Sequence, residues 1–319
     1  MKKIIFIDTD MGNDDLIAIC ILLLSKKYLV KAISIVFGVS NLKQGAINLK
    51  RVLSFTNQKI PIYKGKSQAI NTKWKVKFPL KDCLRANQLT LLRNLPIPKY
   101  SNNNMNFSSI NKLNNLIQKQ NNKIILVCLG PLTNIAYLIN KYQEEFTNKV
   151  EKIYLMGGAI KVPGIVPPLN ITEYNIFLDP EAAQTVFNSG IPITMVPIDA
   201  TKFVPAMPKL VKNKKTLKLL RNFYSKLKLK QPKNRLSQII KEIILNNQSD
   251  FNSFYDPLVA AIMEDQKIIK QMISEKVKII LKGKNRGQTI LTKNRKKNVL
   301  IITKTDPLKF YQLILSKLK

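Results

Sequence analysis

Short apolar runs alternate with longer stretches of helical spacing through the first two-thirds of the chain. Lys3 to Asp8, Val30 to Val36, Lys123 to Cys128, Lys152 to Met156 and Ile193 to Val196 predict strands. Between them, Leu16 to Leu24, Leu42 to Thr56, Ser108 to Lys119, Leu132 to Lys141 and Pro180 to Asn188 predict helices. Alternation of this kind predicts an α/β fold with a mostly parallel central sheet flanked by helices, and it puts ligands at the carboxyl ends of the strands. Lys66 to Asn106 has no clear period and contains Trp74, so it predicts long loops and a lid. Lys209 to Leu245 reads as helical and Lys-rich, and Val277 to Thr303 as a few antiparallel strands before a last helix. No repeat or low-complexity linker divides the chain, so residues 1–319 are expected to form one domain.

Composition narrows the class. No run of eighteen apolar residues is present, which argues against a membrane span, and acids interrupt the apolar start, which argues against a secretory leader. A soluble, cytoplasmic protein is the expectation. Cys20, Cys83 and Cys128 lack paired spacing, as free thiols in a reducing compartment would. Lys and Arg number 53 against 19 acids. The excess is mostly Lys spread among Asn and Ile, the pattern of AT-rich coding, whereas base-specific readers use Arg with aromatic neighbours. No specific nucleic-acid partner is therefore expected. The chain has no His, which removes the usual proton-transfer side chain near neutral pH.

The acids are concentrated where the first strand ends. Asp8 and Asp10, two apart on a strand, are expected to leave one face; Gly12 permits a turn, and Asp14 and Asp15 open the next helix. Carboxylates converging on one turn repel unless a cation or buried partners neutralise them, and an all-oxygen set suits Ca²⁺ or Mg²⁺ better than zinc. A capping role alone explains one acid at a helix start, not four.

The segment DTDMGNDDLIAI resembles the DxDxGxDDxxAI signature of the inosine-uridine nucleoside hydrolase family. Five further blocks agree in order: ILVCLGPLTNIA at 125–136, YLMGGAI at 154–160, EYNIFLDPEAAQTVF at 173–187, MVPIDAT at 195–201 and FYDPLVAAI at 254–262. The resemblance implies a nucleoside hydrolase-like domain, one Ca²⁺, a ribonucleoside substrate cleaved to base and ribose in salvage, and a homodimer or homotetramer. It implies Asp10, Asp15 and Asp256 as carboxylate ligands of the ion, with the carbonyl of Leu129, and Asp10 as general base. Asp14 and Asn175 match groups that hold ribose hydroxyls, Glu173 a contact on the 5′ side, and Met156 the lining of the ribose pocket. Asp8 is expected to support the cluster from behind. Asp179-Pro180 reads as a helix cap, and Gly157-Gly158 as a strand-end turn.

Departures fall on the leaving group. Tyr255 stands where many relatives have a His acid, and a phenol with an ordinary pKa near 10 is a poorer acid unless its surroundings lower it. Val39 replaces a frequent Asn, with Asn41 nearby, and the different length of 162–172 leaves open whether Asn170 contacts ribose. The alternative to an enzyme is a homologue that binds nucleoside and metal without turnover. A phosphatase of the haloacid-dehalogenase type would explain IDTD but not Gly12, the Asp14-Asp15 pair or FYDPL.

Overall fold

The computed structural model describes residues 1–73, 76–99, 107–247, 251–292 and 298–319. In chain order the first half comprises β1 (Lys3–Thr9), α1 (Asn13–Leu23), β2 (Tyr28–Ile35), α2 (Leu42–Phe55), β3 (Ile62–Lys64), α3 (Leu80–Gln88), β4 (Ser108–Ser109), α4 (Ile110–Gln118), β5 (Ile124–Cys128), α5 (Thr133–Thr147) and β6 (Val150–Met156). The second half adds α6 (Tyr174–Leu178), α7 (Pro180–Asn188), β7 (Ile193–Val196), α8 (Ile198–Thr201), α9 (Lys214–Leu229), α10 (Arg235–Asn246), α11 (Tyr255–Glu264), β8 (Ile269–Ile279), β9 (Thr289–Thr292), β10 (Val299–Thr305) and α12 (Pro307–Ser316).

One sheet runs in the order β4-β3-β2-β1-β5-β6-β7-β10-β8-β9. Every pairing from β4 through to β10 is parallel, and β8 and β9 form an antiparallel edge. The two-residue period of a strand divides the interior into two cores. Ile5 and Ile7 of β1 and Ile125 and Val127 of β5 join the core shared with α1, α10, α11 and α12. Phe6, Leu126 and Cys128 face the other way, into the core of α4, α5 and α7. Nearly all of α1 is buried, because the sheet covers one side and α10 and α11 the other.

The expected antiparallel strands before a last helix are present, since β8 pairs antiparallel with both β9 and β10; β10 in addition joins them to the parallel strands by pairing parallel with β7. Its run of Val299, Ile301 and Ile302 is buried toward both cores, which only a strand inside the sheet can achieve. The expectation of a loop over 66–106 is corrected. Leu80–Gln88 is a helix, with Asp82 and Arg85 turned inward and Leu80 and Leu84 exposed. Trp74 and residues 100–106 of that stretch lie outside the described residues. Among the described residues no helix is long and apolar enough to cross a membrane. The three cysteines are unpaired, with Cys20 and Cys128 buried.

The centre of the sheet is pinned by Asn134. Its amide donates to Asp8 Oδ1 at 2.7 Å and to the Ile35 carbonyl at 3.1 Å, and its oxygen accepts from the Lys66 amide at 2.8 Å. A Cβ on Gly65 would lie 2.0 Å from that oxygen. Gly65→Ala is therefore expected to displace a buried, fully bonded amide and lower the unfolding free energy by about 2–4 kcal/mol, read by urea denaturation. A change below about 0.5 kcal/mol would mean that the Asn134 link is dispensable.

Candidate active site

The loops leaving β1, β5 and β6 meet at the carboxyl edge of the sheet and line a cavity of about 310 Å³. Asp10, Asp14, Asp15, Leu129, Met156, Glu173, Asn175, Tyr255 and Asp256 all border it. Every residue singled out from the sequence as catalytic, substrate-binding or metal-holding thus faces one space.

The acids owe their positions to a tight turn. Thr9 ends β1 and Met11 takes a left-handed φ of 60° while fully buried, a conformation a non-glycine residue adopts only under constraint. Thr9 Oγ1 accepts from the Met11 amide at 3.0 Å and donates to Asp15 Oδ1, and the Gly12 amide donates to Asp15 Oδ2 at 2.9 Å. Asp15 is so fastened to the turn that precedes it. Asp14, Asp15 and Asp256 each bring a carboxylate oxygen to within 4.8 Å of the others. At that distance, two full charges repel by about 3.5 kcal/mol at an effective dielectric near 20.

Asp256 does not cap its helix: α11 begins at Tyr255 behind Phe254, and Asp256 lies in the first turn with its side chain toward Asp15. Asp15 and Asp256 are hydrogen-bonded to each other, so the pair shares a proton, and Asp256 Oδ1 is buried without a hydrogen-bond partner.

Asp10 sits beside this group in a mould of glycines. Its Oδ2 accepts the Val39 amide at 2.8 Å. A Cβ on Gly38 would fall 2.0 Å from that oxygen, and one on Gly130 would lie 2.9 Å from the Asp10 backbone nitrogen. Position 39 therefore acts through its main chain. Asn41 is occupied elsewhere, capping α2 by accepting from Gln44 at 2.8 Å.

Asp8 and Asp10 do not share a face as expected, because β1 ends before Asp10. Asp8 points away from the cavity to Ser34 and Asn134. Burial raises its pKa to about 7 despite those two donors. The Asp10 carboxyl is pushed well up by burial and by the neighbouring Asp15, and that of Asp256 by burial, Asp15 and Asp14. Asp15 is raised by burial although Thr9, Asp256 and Gly12 oppose it.

On the opposite wall, Glu173 caps the short α6. Its carboxylate accepts from the amides of Asn175, Gly158 and Ile176 at 2.8, 3.1 and 3.3 Å, yet burial still raises its pKa to about 7. Gly158, at φ 80°, makes the strand-end turn that presents its amide to Glu173. The Asn175 amide donates to the carbonyls of Leu129 at 2.9 Å and Met156 at 3.3 Å, so its orientation is fixed by the ends of β5 and β6. Burial, then Asp14 and Glu173, pushes the Tyr255 phenol well above its ordinary value. Its surroundings therefore make it a weaker acid, but a hydroxyl that always carries its proton. Asn170 is exposed and does not border the cavity. Asp179 caps α7, accepting from Ala182 at 3.1 Å and Thr133 at 2.7 Å.

The outer wall was missed from the sequence: Phe78, Asp82, Arg85 and Ala86 on or before α3, Ile165, Tyr174, Phe251 and Asn252. Phe78 and Tyr174 stack with centroids 4.4 Å apart, a surface suited to a planar ring. Pro79 with Asp82 in the first turn was the available signal of a helix start.

Solved structures with this single-domain α/β architecture are nucleoside hydrolases. The purine-preferring ribonucleoside hydrolase from Gardnerella vaginalis superposes with TM-score 0.79 at 24% identity, covering 99% of this chain and 98% of that one. The inosine-uridine preferring nucleoside hydrolase from Bacillus anthracis superposes with TM-score 0.76 at 19% identity over 100% of both chains. The sequence profile of the inosine-uridine preferring nucleoside hydrolases matches residues 5–312, and the chain belongs to that family. It is 33% identical over 201 residues to the pyrimidine-specific ribonucleoside hydrolase RihA of Shewanella oneidensis, a match covering 62% of this chain and 59% of that protein. The match thus spans about three-fifths of the curated relative's length.

The buried acids dictate how stability responds to pH. Asp8, Asp10, Asp15, Asp256 and Glu173 all have raised pKa values in the folded protein, whereas unfolded carboxyls titrate near 4. Their stabilising contribution is complete below about pH 4 and is lost as pH rises, through about 7 for Asp8 and Glu173. Chelator-treated protein is expected to melt at a lower temperature at about pH 8 than at about pH 5, and CaCl₂ to reverse most of the loss. A melting temperature that rises with pH in chelator would contradict this electrostatic picture.

Proposed function

We propose that this protein is a Ca²⁺-dependent ribonucleoside hydrolase, cleaving the N-glycosidic bond to free base and ribose in nucleoside salvage. The observation that carries the proposal is the convergence of Asp14, Asp15 and Asp256, with Asp10 beside them, at the floor of a cavity walled by Asn175, Glu173 and an aromatic stack. The donors are carboxylate oxygens, and Asp256 Oδ1 is a buried acceptor without a partner; both features fit a hard divalent cation.

Asp10, Asp15 and Asp256, with the Leu129 carbonyl, would hold Ca²⁺, which supplies charge compensation for the acids and an electrophilic anchor for oxygen ligands. Asp14, only partly buried, remains for a ribose hydroxyl, and Asn175 for its neighbour. Glu173, locked by three amides, presents a fixed carboxylate edge to the 5′ side, and Met156 supplies apolar lining to the ribose pocket. Asp10, its carboxylate oriented by Val39 and confined by Gly38, takes a proton from the attacking water as its oxygen approaches C1′. An oxocarbenium-like centre develops at C1′ as the bond to the base breaks, and the surrounding carboxylates stabilise it. Tyr255 keeps its proton and acts as a hydrogen-bond donor to the charge growing on the base.

A second reading is a homologue that binds nucleoside and metal without turnover, favoured by the absence of His and the high pKa of Tyr255. Incubating the protein with CaCl₂ and a panel of purine and pyrimidine nucleosides, while following free base and reducing sugar, separates the two. Release of both products supports the hydrolase; saturable nucleoside binding without release supports the second.

Asp10→Ala is expected to weaken Ca²⁺ binding at least about tenfold in a calorimetric titration and to abolish turnover. Unchanged affinity would remove Asp10 from the ligand set. Tyr255→Phe is expected to lower kcat on inosine and uridine about tenfold with KM little moved, the effect of one lost hydrogen bond in the transition state. An unaltered kcat would make Tyr255 a wall residue only.

A further inference from the structure

With no His in the chain and a phenol whose pKa is raised, the proton that a departing nucleobase needs must come from another group. Four observations bear on its source. First, α3 turns one face to the cavity. Asp82, Arg85 and Ala86, spaced three and four apart, border it, while Leu80 and Leu84 point to solvent. Second, α3 lines the same cavity as the acids, and the charge of Asp10 reaches Cys83 on this helix, so a substrate whose sugar meets Asp14 and Asn175 has Asp82 on the wall of the space left for its base. Third, the stacked rings of Phe78 and Tyr174 line the same cavity, and the Tyr174 phenol is raised by burial and then by the charges of Asp82 and Glu173, so Asp82 lies within electrostatic reach of the stack. Fourth, Asp82 is the acid on this wall that α3 contributes, outside the group at the end of β1.

We propose that Asp82 is the catalytic acid that protonates the leaving base. The assignment rests on the hydrolase reading above. In the step, the oxygen of water bonds to C1′ and gives a proton to Asp10, while the C1′–N bond breaks with its electron pair passing to the base. The Asp82 carboxyl donates its proton to a ring nitrogen or carbonyl of that base and is left as carboxylate. Solvent then reprotonates Asp82 and takes up the proton held by Asp10, so the net reaction is nucleoside plus water to ribose plus neutral base. Partial burial raises the Asp82 pKa, against the opposing charges of Arg85 and Lys81. Arg85, on the same face, is placed to balance the carboxylate that the transfer leaves behind.

The test compares Asp82→Asn and Asp82→Glu with the parent protein on inosine and uridine and on p-nitrophenyl riboside, whose leaving group needs no proton. Asp82→Asn is expected to reduce kcat on the nucleosides about a hundredfold relative to kcat on the activated riboside, and Asp82→Glu to recover part of that ratio. Retention of the CaCl₂-induced rise in melting temperature shows that each variant is folded with its acidic floor intact. An equal loss on both kinds of substrate, or none on either, overturns Asp82 as the acid while leaving the hydrolase reading standing. A parent protein that cleaves neither substrate overturns the hydrolase reading and this assignment with it.

Discussion

Three carboxylates whose oxygens lie within 4.8 Å of one another, with a fourth alongside and all but one buried, cannot all carry charge in a protein interior. The fold is arranged to hold them there nonetheless. The parallel order brings the loops after β1, β5 and β6 to one edge, and burial of those strands on both faces makes that edge rigid. A left-handed Met11 and an amide of Gly12 bend the chain so that Asp15 returns beneath Thr9. From the far end of the sequence, α11 packs against α1 and brings Asp256 to meet it. Each of these contacts forces like charges together, so each is tolerable only while protons or a cation neutralise them.

The same constraint explains the residues that contribute no chemistry of their own. Gly38 and Gly130 leave room for Asp10 and its backbone where any side chain would collide with it. Asn134 ties Asp8 to the ends of neighbouring strands, and Asp8, turned from the cavity, is an acid whose burial is borne by two donors. Glu173 and Asn175, both buried at the cavity wall, are held in place through amides and carbonyls.

Much of this was legible because it lies in regular elements. Strands such as Ile124–Cys128, buried on both faces, announce themselves as short apolar runs, and the acid motif sits where one of them ends. What escaped is short or weakly patterned. The strands Ile62–Lys64 and Ser108–Ser109 have too few residues to show a period. The helix Leu80–Gln88 is polar and buries only Ala86 among its residues, and it is tied down by hydrogen bonds from Asn48 to the Ala86 and Asn87 carbonyls, a link between distant segments that leaves no apolar stripe to read. The place of β10 inside the sheet depends on pairing between distant segments, which chain order does not specify. Asp8 and Asp10 fit one face by the two-residue period of a strand, but β1 ends at Thr9 and the Met11 turn redirects the chain before Asp10's side chain is placed.

Burial and mutual repulsion hold the acids at the end of β1 partly protonated, and a divalent cation bound there would replace those protons. Calorimetric titration of the protein with CaCl₂ at about pH 6, repeated in buffers of different ionisation enthalpy, counts the protons released per ion bound. Release of about one proton or more is expected, falling as pH is raised and the carboxyls ionise unaided. Binding of Ca²⁺ with no proton release at pH 6 would contradict it.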